Sequence, residues 1–262
     1  MQVIPYTAEH FDAPIWSSSD EYERMIPRLR WHVHTPYAQA WCTVHYEDLT
    51  SVGMAVRFGD HARITVCKTV NEHDAATSRE LLVTTLLAEL TAQGCTGFTI
   101  TVAPEQVGMW EAFGFTAQEQ LLRYAGGRFL QATRDEVIHF EPFHRMGLLH
   151  LDRQASGEDR STLLMEHSYL GSVYMEGNRM RGFSLPLLGE GLIIADAPEV
   201  GLELQRWLFP IQEHVLLPEG NAAHAHLTKQ DYVATPVGVR MVRGIPLEVR
   251  TAMCFGEVWG CV

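Results

Sequence analysis

His32, Val33 and His34 set two imidazoles two residues apart. On a strand both would face one side, where His45 could complete a three-nitrogen metal site. The chain has 13 histidines, enough for such spacing to arise by chance, so the sequence favours surface or hydrogen-bonded imidazoles and no metal. His139, Glu141 and His144 could supply a general base for an ammonium substrate, but Pro142 between them favours a solvated linker. In Gly157-Glu158-Asp159-Arg160 the plain reading is a helix start. Ser156 would cap it and the acidic pair would sit at its positive end, leaving Asp159 and Arg160 as minor candidates for a substrate cleft. Trp31, Trp41 and Trp110 could wall an apolar pocket, although such residues more often fill a core. Walker, HExxH, GxSxG and paired zinc-ligand motifs are absent. One stretch stands apart. Asn71 to Glu80 leads into a long helix, where backbone amides and the helix dipole can hold a phosphate. It contains no glycine, and its one arginine is Arg79.

The elements that must position these residues can be read from periodicity. A short strand is expected near Val3 to Tyr6, then a helix from about Asp20 to Arg30, perturbed by Pro27. Ala40 to Tyr46 and Val52 to Phe58 read as strands, with Gly53 marking a bulge or a close backbone approach. Ala62, Ile64 and Val66 alternate with Arg63, Thr65 and Cys67 in a third strand. The helix Ser78 to Ala92 carries Leu82, Leu86 and Leu90 on one stripe, with Ser78 as its expected cap and Gly94 as its stop. Phe98 to Val102 is a half-buried strand, a short helix carries Trp110, and Phe115 to Tyr124 is a strand. After a break at Gly126-Gly127 the second half repeats this on a shorter scale. Expected strands are Gly147 to Leu151, Ser172 to Met175, Met180 to Leu187 and Leu192 to Ala195. Expected helices are Ser156 to Leu164 and Pro198 to Leu208. Further segments lie at Val215 to Leu217, Asn221 to Lys229, Tyr232 to Val242 and Glu248 to Phe255. Strands with interspersed helices give a mixed α/β class with one sheet per half.

The chain has 262 residues, 46% hydrophobic and 20% charged, which suits a packed core in one large or two ordinary domains. A net charge of −12 argues against nucleic-acid partners, which need cationic neutralisation of phosphates. It would weakly attract cationic substrates such as amines. No apolar run is long enough for a membrane span, and the N-terminus has no secretory pattern. The five cysteines lack CxxC spacing and read as reduced thiols in a cytoplasmic protein.

The order of elements and several short stretches resemble the GNAT superfamily of acyl-CoA-dependent N-acetyltransferases, specifically bacterial tandem proteins with a second GNAT-like domain. The likeness rests on Leu81-Leu82, on Trp110-Glu-Ala-Phe-Gly114-Phe115, and in the second half on Leu151-Asp152, Gly157-Glu-Asp-Arg160, Leu192-Ile-Ile-Ala195 and Arg240-Met241-x-x-Gly244. The resemblance implies two tandem domains, over 1–130 and 146–262, with a linker at 131–145. It implies acetyl-CoA as co-substrate, held where two parallel strands splay apart, and a small-molecule amine as acceptor. Thr69 and Val70 would lie nearest the CoA thioester. His73, Ala76 and Ser78 fall on the family's phosphate-loop positions, where arginine or glutamine, glycine, and glycine or alanine are usual. The family's acidic tyrosine falls on Trp110, whose indole N–H cannot act as an acid. In the second half, Asp196-Ala197-Pro198 is too short to wrap a diphosphate, so that domain is expected to shape the cleft. The second reading is a non-catalytic relative that binds a ligand or a partner. The catalytic residues and the oligomeric state are left open by the sequence.

Overall fold

The computed structural model describes residues 1–11, 19–46, 48–69, 75–128 and 130–257, apart from the side chains of 19–22 and 24. In chain order the first half comprises β1 (Gln2–Pro5), α1 (Ser19–His34), β2 (Ala38–His45), β3 (Asp48–Phe58), β4 (His61–Thr69), α2 (Ala75–Ala92), β5 (Gly97–Val102), α3 (Val107–Glu111) and β6 (Thr116–Ala125). The second half comprises β7 (Val137–His139), α4 (Arg145–Ser156), α5 (Ser161–Glu166), β8 (Ser172–Glu176), β9 (Arg179–Leu185), β10 (Leu192–Ala195), α6 (Pro198–Leu208), β11 (His214–Pro218), α7 (Ala223–Lys229), β12 (Val233–Gly244) and β13 (Cys254–Gly256).

Two sheets result. One has the order β1-β2-β3-β4-β5-β12-β6-β11, the other β13-β10-β9-β8-β7. The first sheet is mixed between halves. β12 pairs antiparallel with β5 on one side and β6 on the other, and β11 pairs with β6. Neighbouring strands in the chain usually pair with each other; here β5 and β6 are separated by a strand from the far end of the chain.

Apolar faces explain the layering. Leu82, Val83, Leu86, Leu87 and Leu90 of α2 are buried with Ala55, Ile64, Phe98 and Ile100 on one face of the first sheet. Met25, Ile26 and Leu29 of α1 are buried with Val52 and Met54 on the other. Gly53 lets α2 come close, since a Cβ there would lie 3.1 Å from Leu86 Cδ1. A third cluster joins the halves, packing Val56 and Phe58 with Leu148, Leu151, Leu163, Val173 and Phe183.

Several expected elements are corrected. Gly147 to Leu151 lies inside the helix α4, because Leu148, Leu151 and Ala155 recur on one buried face. Ser156 ends that helix instead of starting one. Gly157 follows it at φ 72° as a left-handed cap, and the next helix begins at Ser161. α1 continues past Arg30 to His34 despite Pro27. Val137–His139, within the stretch read as a linker, is the edge strand of the second sheet. Among the described residues, no helix is long and apolar enough to cross a membrane.

Candidate functional site

β4 and β5 run parallel and pair from His61–Gly97 to Ile64–Ile100, where pairing stops. β4 continues to Thr69 and β5 to Val102. A feature on the other edge of β4 coincides with this. Ala55 pairs with Ile64 and Met54 with Val66, so Thr65 is an extra, bulged residue. A bulge bends its strand and raises the local twist, and this one sits just past the last β4–β5 pair. Beyond it the β4 stretch Thr65 to Thr69 is not paired with β5, and this end of the two strands is the candidate cleft.

His32 holds the bulge from behind. It lies in a helix, not on a strand, and is 1% exposed. Its Nδ1 donates to the Arg28 carbonyl at 2.7 Å, which leaves Nε2 to accept the Thr65 hydroxyl at 2.8 Å. Desolvation lowers its pKa to about 4. It is therefore a neutral structural imidazole. His34 is on the same helix, and the His45 ring stacks on Tyr46 at 4.4 Å. Among the described residues no group of three His, Cys, Asp or Glu side chains is placed to hold a metal.

The phosphate-side positions distribute unevenly. Thr69 ends β4 and its hydroxyl accepts Arg79 Nη2 at 3.2 Å. Val70 and His73 lie outside the described residues. Ala76 is exposed in the first turn of α2. Ser78 is not a cap but an interior helix residue, fully buried. Its hydroxyl bonds Thr43 at 2.6 Å, Thr50 at 2.7 Å and Ser51 at 2.9 Å. This knot of hydroxyls pins the start of α2 to β2 and β3. A helix leaves its first N–H groups without intrahelical acceptors, so the amides of Ala75, Ala76 and Thr77 have no acceptor within α2.

Trp110 is 1% exposed and packs edge-on against Phe115, with ring centroids 5.2 Å apart. It shares the α2-side core with Trp41, while Trp31 packs against the cluster between the halves. The three tryptophans therefore do not wall one pocket. In the second half, Asp196 accepts Arg179 at 2.9 Å and Arg181 at 2.7 Å, so its charge is spent on pairing. Arg160 is buried and forms a two-point ion pair with Asp152, and Arg63 of β4 pairs with Glu158 at 2.9 Å. Asp159 is exposed beside them. His144 accepts the Glu141 N–H at 2.9 Å and closes a short turn, while His139 is exposed on β7. These groups are not brought to the cleft between β4 and β5. Sequence reading missed Thr65 and His32 as cleft-shaping residues. For Arg79 the signal was present, since it is the single arginine from Asn71 to Glu80.

No protein-family profile matches the chain, and no curated protein matches it by sequence. Solved structures do. A Pyrococcus horikoshii protein described as an acetyltransferase superposes at TM-score 0.76 and 16% identity, over 99% of this chain and 94% of that one. An Enterococcus faecalis protein described as an N-acyltransferase superposes at TM-score 0.59 and 12% identity, over 95% and 73%. A tandem GNAT protein from the clavulanic acid biosynthesis pathway superposes at TM-score 0.59 and 11% identity, over 94% and 99%. Identities this low speak for the architecture, and full-length coverage by a two-domain protein speaks for both halves. The chain is a tandem GNAT-fold protein.

Proposed function

We propose that the chain binds an acyl-CoA in the cleft between β4 and β5 and transfers its acyl group to a small amine. The observation that carries this is the bulge at Thr65 coinciding with the end of β4–β5 pairing at Ile64–Ile100. An unpaired strand edge is a ready template for a ligand that brings its own donors and acceptors. The backbone of Thr65 to Thr69 would pair with the amide groups of the pantetheine arm. The amides of Ala75, Ala76 and Thr77, at the positive end of α2, suit its diphosphate. The co-substrate supplies an acyl group activated as a thioester. The net charge of −12 suits a cationic acceptor. The cleft belongs to the first domain (1–130), and the second (146–262), after the connecting stretch 131–145, completes it.

Trp110 favours a second reading, binding without transfer. It is buried, and its indole cannot protonate a leaving thiolate. Calorimetric titration with acetyl-CoA, followed by thiol-release assays against a panel of small amines, separates the two. Saturable binding with amine-dependent thiol release is the expected result. Binding with no release across the panel supports the second reading. No heat at millimolar acetyl-CoA ends the acyl-CoA reading altogether.

A further inference from the structure

Arg79 sits one turn into α2, half-buried, between the two sides of the splayed cleft. Its Nη2 donates to Thr69 Oγ1, at the tip of β4, at 3.2 Å. Its Nη1 donates to Met109 Sδ, on the helix that follows β5, at 3.0 Å. The guanidinium thus reaches from the β4 side to the β5 side at the unpaired end of the two strands. Its partners are poor ones for such a group. A guanidinium has five N–H donors, and a thioether is a weak acceptor. Among the described residues no carboxylate pairs with Arg79. A phosphate would be a much stronger partner, because its oxygens are themselves charged and can take two parallel N–H bonds from the guanidinium. Beneath the arginine, desolvation holds the Cys67 thiol at about 12 against the pull of the guanidinium. The thiol is therefore neutral and does not tie the arginine down.

We propose that Arg79 is a latch across this cleft, exchanging Thr69 and Met109 for the diphosphate of an arriving CoA. The proposal rests on the reading of the cleft as an acyl-CoA site. It makes a distinction that the reading alone does not. A thiol arm without phosphates must open the latch and gains nothing from the freed guanidinium, whereas CoA opens it and engages it. The latch therefore selects for the diphosphate in a chain whose loop has no glycine.

The test is calorimetry of the full chain with CoA and with pantetheine, which has the same thiol arm but no phosphates. Three proteins are compared: the natural chain, Arg79→Gln and Met109→Leu. In Arg79→Gln, pantetheine should bind more tightly, and the preference for CoA over pantetheine should fall by about tenfold. In Met109→Leu, which keeps the apolar volume but loses the sulfur acceptor, both ligands should bind modestly tighter with the CoA preference retained. Should Arg79→Gln fail to fold, unchanged affinities in Met109→Leu would overturn the latch. An unchanged CoA preference in a folded Arg79→Gln would overturn it too, while leaving the cleft assignment standing. If neither ligand binds any of the three proteins, the cleft assignment and the latch fall together.

Discussion

A base kept neutral by burial makes folding sensitive to acid. His32 has a folded pKa of about 4 against an ordinary 6.5, chiefly from desolvation; the hydrogen bond to the Arg28 carbonyl raises it and the Arg28 charge lowers it. The unfolded chain takes up this proton near 6.5, and the folded chain does not until about 4. The stability that neutral His32 contributes is thus complete above the upper value and lost as pH falls through the lower one. The loss is at most about 3 kcal/mol. Urea unfolding at about pH 7.5 and about pH 4.5 should show a stability gap that shrinks in His32→Asn; an undiminished gap would place the acid sensitivity elsewhere. Because His32 accepts from Thr65, acid should also loosen the cleft. None of this was legible locally. His32 and His34 could be read as a strand pair because the helix is expected to end near Arg30, yet α1 tolerates Pro27 and runs on to His34. Ser78 falls on the phosphate side by the family resemblance, counted back from Leu81-Leu82. What turns its hydroxyl inward is Thr43, Thr50 and Ser51, which arrive from two distant strands.

Elements with strong periodicity were the readable ones. The leucine stripe marked α2 and Pro198 marked the start of α6. The alternation from Ala62 to Cys67 marked β4 but could not reveal its bulge, since the extra residue is defined only against the register of β3. The foot of the cleft depends on a residue with no side chain. Gly97 forms the first β4–β5 pair with His61 and also faces Gly244 of β12. Above it the His61 Nε2 donates to the Ile245 carbonyl at 2.9 Å. A Cβ on Gly97 would drive into that imidazole and lie 2.5 Å from the Ile245 oxygen. Gly97→Ala should therefore cost about 3 kcal/mol, read as a lower urea midpoint. Gly108→Ala in α3 is the matched control. Its Cβ meets nothing within 4 Å, so it should be neutral or stabilising by up to about 1 kcal/mol. Equal effects at the two positions would mean that the packing around His61 does not constrain the foot of the cleft.

At the scale of the molecule, the strand exchange decides what can fold. A fragment ending at residue 130 would keep β1 to β6 but lose β12, which fills the gap between β5 and β6. It would also lose the partners of Val56 and Phe58 in the shared core. The Arg63 guanidinium would lose Glu158, a carboxylate whose side chain is 1% exposed. Two open strand edges beside a gap add a route to aggregation. The fragment 1–130 should accordingly lack dispersed amide proton signals. The whole chain should unfold in one transition, with tryptophan fluorescence and far-ultraviolet dichroism tracing the same curve. A dispersed spectrum from the fragment, or two separated transitions in the whole chain, would show that the halves are independent. The functional stake is direct. β12 is the strand next to β5, so one wall of the proposed acyl-CoA cleft is braced by the second half, and a first half alone should have no cleft to offer.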